Sequence, residues 1–252
     1  MSSIRIAAAQ SISVAGNIAA NVRMHMEFIA AARQAQVNLL VFPELSLCGY
    51  ELPMLQECQL HPDDSRLASL RDIAVEAEMT VVVGAPVANG AGMVPAIGAI
   101  TFFSDRTHSI YRKQHLHPGE EIFTTNDNEA SRNDRLFGES YSLAICADTA
   151  HETHAENAAK SGSSLYLAGV LVSEAGYAAD SAKMQHYARS LNLGVLMANH
   201  GGPSGGYVSA GKSAFWAPGG KLVVHAPGTG NALVVASNNS GEWNGEFISV
   251  GH

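Results

Sequence analysis

Apolar positions along the chain follow two alternating rhythms. Short, almost wholly apolar runs occur at Ile4 to Ala9, at Asn38 to Phe42 (N-L-L-V-F) and at Thr80 to Gly84. Runs of this length predict strands, and their lack of polar alternation predicts burial on both faces. Between them the spacing turns helical. Ile18, Val22, Met26, Ile29 and Ala30 share a face within Ile18 to Gln36, and Leu67, Leu70, Ile73, Ala74 and Ala77 share one within Asp64 to Glu78. Ala96 to Phe103 and Ser109 to Lys113 flank the turn S-D-R-T and predict an antiparallel pair.

The second half repeats the alternation. Strands are predicted at Ser142 to Cys146, Ser164 to Ala168 and Gly194 to Ala198, with helices near Thr153 to Ser161 and over Ala178 to Asn192. Ser213 to Trp216, Lys221 to His225 and Ala232 to Ala236 make the end β-rich. Pro118 to Arg135 is polar and lacks apolar periodicity, so it reads as a long loop of the kind that carries function. No repeat, linker or low-complexity tract divides residues 1–252. The expectation is one layered α/β domain with helices outside two packed sheets.

Composition narrows the function classes. Hydrophobic residues make up 46% and charged residues 15%, enough for a large core. The net charge is −8 and no basic run exists, which argues against nucleic acid and anionic membranes as partners. Cys48, Cys58 and Cys146 cannot all pair and form no C-x-x-C, so neither a disulfide framework nor a thiolate zinc site is expected, and a reducing cytoplasm fits better. M-S-S-I-R-I-A-A-A-Q reads as a first strand, not a signal peptide, and no apolar stretch reaches the length of a membrane span.

Three apolar strands finish on residues that can do chemistry. N-L-L-V-F-P-E places Glu44 just past one, S-I-Y-R-K places Lys113 at the end of another, and S-L-A-I-C places Cys146 at the end of a third. Taken singly, Cys146 is a packing thiol and the other two are solvated side chains. Taken together, they are the parts of a nucleophilic site, because strand ends in layered α/β folds converge on one rim. A thiol is mostly protonated at neutral pH; a carboxylate beside it can take the proton, and an ammonium favours the thiolate and then an oxyanion.

V-F-P-E-L-S-L-C-G-Y, Y-R-K-Q-H-L-H-P-G-E and L-A-I-C-A-D, in this order, resemble the three signature stretches of the nitrilase, or carbon–nitrogen hydrolase, superfamily. I-R-I-A-A-A-Q and M-A-N-H-G-G are similar to its flanking strands, so the resemblance runs from Ile4 to about Ala236. It implies an α-β-β-α sandwich, paired into homodimers or higher oligomers, that hydrolyses non-peptide C–N bonds of a small amide or nitrile without metal or organic cofactor. By resemblance Cys146 is the nucleophile, Glu44 the base, and Lys113 with the Ala147 N–H the oxyanion donors. The assisting carboxylate is Glu120, with Glu121 the competing choice. Asn199, Tyr50 and His151 are expected around the pocket.

The chain departs from that pattern after the Cys. Ala147 stands where the superfamily commonly has an aromatic residue, and A-D-T-A-H-E-T-H replaces the familiar continuation, which leaves more room locally and makes substrate branches poor guides. H-E-T-H has its histidines at i and i+3, not the i and i+4 of a zincin. His115 and His117 alternate as if on a strand and would share a face. G-G-P-S-G-G lacks the lysine of a phosphate loop and reads as a tight loop near the site. Amide hydrolysis, nitrile hydrolysis, acyl transfer and a catalytically silent assembly role all remain compatible with these residues.

Overall fold

A computed structural model describes residues 4–90, 92–126, 133–136 and 138–251. The strands β1 (Ile4–Gln10), β2 (Leu39–Val41), β3 (Thr80–Val87), β4 (Ala96–Phe102) and β5 (His108–Arg112) carry the first half, with helices α1 (Ile18–Gln34) and α2 (Ala68–Glu76) between them. The second half holds β6 (Asp134–Leu136), β7 (Glu139–Ile145), α3 (Glu152–Lys160), β8 (Leu165–Val170), α4 (Tyr177–Ser190) and β9 (Gly194–Asn199). β10 (Ala214–Trp216), β11 (Leu222–His225), β12 (Ala232–Asn239) and β13 (Glu242–Ser249) complete it.

These strands form two sheets, in the orders β13-β12-β1-β2-β3-β4-β5 and β11-β10-β9-β8-β7-β6. The period-2 alternation of the second sheet sorts its side chains into two layers. Leu143, Ile145, Leu165, Leu167, Leu196 and Phe215 join the core shared with β1 to β4. Their neighbours Ala144, Tyr166, Ala168, Val195, Met197 and Trp216 pack with Ala155, Met184, Tyr187 and Ala188 of α3 and α4. On the other side Phe28, Ile29 and Ala32 of α1 and Leu70 and Ala74 of α2 cover the first sheet. The result is the α-β-β-α sandwich.

Strand direction decides what meets at the rim. β1, β2 and β3 pair in parallel, as do β7, β8 and β9. β4 runs back against β3, and β5 against β4, so β5 points the same way as β2. The residues that follow β2 and β5 therefore emerge at one edge of the first sheet, beside the end of β7 in the second.

Two elements differ from the sequence reading. β13 is an edge strand whose residues are mostly exposed, so it lacks the apolar signal of the buried runs. His115 and His117 do not share a strand face. The Gln114 and His115 N–H groups both donate to Asp148 Oδ1, at 3.1 and 2.8 Å, whereas successive N–H groups of a strand point to opposite sides. Within the predicted loop Pro118 to Arg135, Glu120–Ile122 forms one 3-10 turn and Asp134 begins β6, while residues 127–132 lie outside the described residues.

Candidate active site

Glu44 sits on a loop clamped from three directions. Phe42 N–H donates to Val82 O at 2.9 Å and Leu47 N–H to Gly84 O at 2.9 Å. From α1, Asn21 Nδ2 donates to Leu47 O at 2.9 Å, and His25 pairs with Ser46 Oγ at 2.9 Å while stacking on Phe42. Burial lowers His25 to about 4, so the ring is neutral and accepts from Ser46. Two glycines make the space: a Cβ on Gly84 would lie 2.1 Å from Pro43 O, and one on Gly169 would lie 2.8 Å from Phe42 O. From the second sheet, His200 Nε2 donates to the Glu44 carbonyl at 2.7 Å; burial lowers this ring too, to about 4.

Lys113 is wholly buried between two carboxylates. Its Nζ donates to Glu44 Oε1 at 2.7 Å and to Glu120 Oε1 at 2.6 Å. Burial pulls its pKa down, but the attraction of Glu44, Cys146 and Glu120 outweighs burial and holds the ammonium above its ordinary value. Glu120 is equally buried and accepts two further bonds, from Tyr50 O–H at 2.6 Å and His117 N–H at 2.8 Å. Glu121 faces away and takes the Gly119 N–H at 2.7 Å, a local cap on an exposed turn. Of the two adjacent glutamates, Glu120 is the one brought to Lys113.

Cys146 follows β7 directly, with its backbone at φ 42°, a left-handed conformation unusual for a side chain of this kind. It opens a 3-10 turn over Cys146–Ala150, so the Ala147 N–H lies in the first turn, where backbone donors have no partner within the helix. Cys146 and Ala147 are partly exposed, whereas Glu44, Lys113 and Glu120 are sealed. The Cys146 Sγ lies 3.9 Å from Leu171 O.

The proton inventory follows from burial. Desolvation and the charge of Glu44 push the Cys146 thiol well above its ordinary value, against the opposing pull of Lys113. Burial lifts Glu44 from 4.5 to about 7, although Lys113 and a hydrogen bond from Cys146 draw it down. Glu44 Oε2 is buried and lacks a well-aligned partner among the described residues. The site holds a neutral thiol beside a carboxyl poised near neutrality, with an ammonium fixed behind both. Such a set can move a proton from sulfur to carboxylate while the ammonium stabilises a new oxyanion.

The remaining expected residues are placed as follows. Tyr50 lines the site through Glu120, and Tyr207 meets its ring edge-on at 5.8 Å between centroids. The G-G-P-S-G-G loop packs here, with Ser204 Oγ accepting the Tyr50 N–H at 2.8 Å. Asn199 does not present a free polar atom to a pocket. Its amide takes the Val172 and His200 N–H groups and donates to Val172 O and Gly211 O, which fills all four positions of the amide. It fixes the segment that carries the Leu171 carbonyl. His151 is exposed and stacks on His115 at 3.8 Å, while His154 turns inward to Tyr166 O–H at 2.9 Å, so H-E-T-H does not converge. His200 and Asp148 serve the site without having been assigned to it from sequence; Asp148 stood inside the Cys motif, and His200 directly followed Asn199.

The sequence matches the carbon-nitrogen hydrolase family over residues 5–243, and the chain belongs to that family. Solved structures agree in fold. A glutamate-to-glutamine variant of the amidase from Nesterenkonia sp. AN1, with the acetamide moiety of fluoroacetamide added covalently at its active-site cysteine, superposes with TM-score 0.85 at 22% identity, covering 93% of this chain and 90% of that one. A cysteine-to-alanine variant of the same amidase, in complex with butyramide, gives 0.86 at 22% identity with the same coverage. Among the described residues no helix is long and apolar enough to cross a membrane.

Proposed function

We propose that this protein hydrolyses small carboxamides through a thioester on Cys146. The observation that carries the reading is the buried Glu44–Lys113–Glu120 chain of ion pairs set beside the thiol of Cys146, whose backbone is held at positive φ. The carboxamide carbon is attacked by Sγ as Glu44 accepts the thiol proton. Lys113 and the Ala147 N–H hold the oxyanion. Collapse breaks the C–N bond, and the proton on Glu44 passes to the departing amine, giving ammonia and R–CO–S–Cys146. Water then attacks the thioester, Glu44 takes its proton, and the acid leaves as the thiol is restored. Glu120 touches Lys113, not the sulfur, and keeps the ammonium charged and aimed.

The butyramide held by a cysteine-to-alanine variant of the neighbouring amidase supports a small amide, as does the sealing of three of the four site residues. Mass spectrometry of products from paired short amides and nitriles tests the reaction. Release of acid and ammonia from the amides is expected, with turnover abolished in Cys146→Ala and retained in Cys48→Ala. Full activity in Cys146→Ala would sink the mechanism, and turnover of nitriles alone would reassign the substrate.

A further inference from the structure

Asp148 is fully buried, yet no chemical step above uses it. Its two oxygens face different parts of the molecule. Oδ1 accepts the Gln114 N–H at 3.1 Å and the His115 N–H at 2.8 Å, and lies 3.1 Å from His115 Nδ1. Oδ2 accepts the Ile145 N–H at 3.0 Å and the Tyr111 O–H at 2.6 Å. One oxygen thus grips the residues that follow Lys113, and the other grips the residue that precedes Cys146.

These two segments belong to different sheets. β5 is hydrogen-bonded to β4, and β7 to β6 and β8, so among the described residues no strand ladder joins the Lys113 segment to the Cys146 segment. Contacts other than strand pairing therefore set the distance between ammonium and sulfur, and Asp148 supplies several of them. Tyr111, at the root of the same segment, also meets His154 Nε2 at 2.9 Å, and His154 Nδ1 meets Tyr166 O–H at 2.9 Å, which anchors the tie to α3 and β8.

We propose that Asp148 is a positioning residue that sets Lys113 Nζ against Cys146 Sγ and aims the Ala147 N–H, by gripping the backbone on both sides of the site. A carboxylate suits the task because it offers acceptors in both directions and no donor. An amide of equal size must turn its NH2 toward either the Gln114–His115 N–H pair or the Ile145 N–H, and so loses one grip. The inference rests on Cys146 being the nucleophile of the proposed reaction.

The test uses the full chain with Asp148→Asn and Tyr111→Phe, and reads alkylation of Cys146 by iodoacetamide, which requires the thiolate but no particular substrate. Rates are followed by peptide mass spectrometry across about pH 6 to about pH 10 and scaled to the folded fraction. Asp148→Asn is expected to slow Cys146 alkylation about 10- to 100-fold at slightly alkaline pH, because Lys113 no longer sits where it favours the thiolate. Loss of a mere neighbouring negative charge would act in the opposite sense, favouring the thiolate and speeding alkylation. An unchanged or faster rate per folded molecule overturns the proposal. If Asp148→Asn does not fold, Tyr111→Phe removes a single donor; alkylation slowed about twofold to tenfold in a folded protein supports the tie, and an unchanged rate refutes it. Alkylation that depends on Asp148 in a protein without amide hydrolysis overturns the proposed function alone and leaves the positioning role standing.

Discussion

Glu44→Gln separates what Glu44 contributes to chemistry from what its burial does to stability. The carboxyl shifts from 4.5 when solvated to about 7 in the folded protein, chiefly because burial penalises the charged form. At about 1.4 kcal/mol for each tenfold change in proton affinity, this amounts to roughly 3 kcal/mol. The sign follows from proton binding. Between about pH 4.5 and about pH 7 the folded state holds a proton that the unfolded chain has released, so this contribution is full in acid and is lost as pH rises. Glutamine keeps the volume and an acceptor for Lys113 Nζ at 2.7 Å, and Lys113 retains Glu120 at 2.6 Å.

Stability relative to wild type should therefore improve by about 2–3 kcal/mol on going from acid to mildly alkaline pH, as urea titrations with a shared slope can show. Over the same range the variant should lose about 10²- to 10⁴-fold in amide turnover, the usual contribution of a general base. The acid limb of kcat/KM in wild type should fall near pH 7, where Glu44 titrates in the free protein. A stability difference that is flat with pH, or turnover that survives the substitution, would refute the burial argument or the base assignment respectively.

Lys113→Met leaves Glu44 and Glu120 buried without their shared cation, so a loss of about 3–5 kcal/mol is expected, relieved toward acid pH as protonation removes buried charge. Turnover should fall about 10²- to 10³-fold with the oxyanion donor; equal stability at neutral pH would contradict the ion-pair reading. Gly84→Ala brings a Cβ within 2.1 Å of Pro43 O and 2.4 Å of Leu45 N, backbone atoms that cannot step aside alone. A loss of about 1–3 kcal/mol in stability, read as a lowered denaturation midpoint, is expected, with turnover reduced because the Glu44 loop moves. An unchanged midpoint would show that the loop is not clamped there.

Much of this architecture was legible along the chain. The apolar runs at Ile4 to Ala9, Asn38 to Phe42 and Thr80 to Gly84 became central strands because a strand buried on both faces needs no alternation, and that signal is local. Glu44, Lys113 and Cys146 stood out because each stands at or just past the end of a predicted strand, and the ends of such strands point to one rim. β13 was not legible, since an exposed edge strand carries little apolar pattern.

The sequence by itself determined which residue types stand at strand ends, and through three spaced motifs it determined the family. Tertiary structure alone decided how they meet. Lys113 reaches the rim because two antiparallel pairings turn β5 back to the direction of β2. Glu120 rather than Glu121 reaches Lys113 because the turn after Gly119 buries one and exposes the other. Asn199, expected at a pocket wall, is enclosed by backbone, and Asp148, an unassigned neighbour of the Cys, bridges the two sheets. Periodicity records which face of an element is buried; it leaves no mark of which distant backbone groups a side chain will grip once two sheets are stacked.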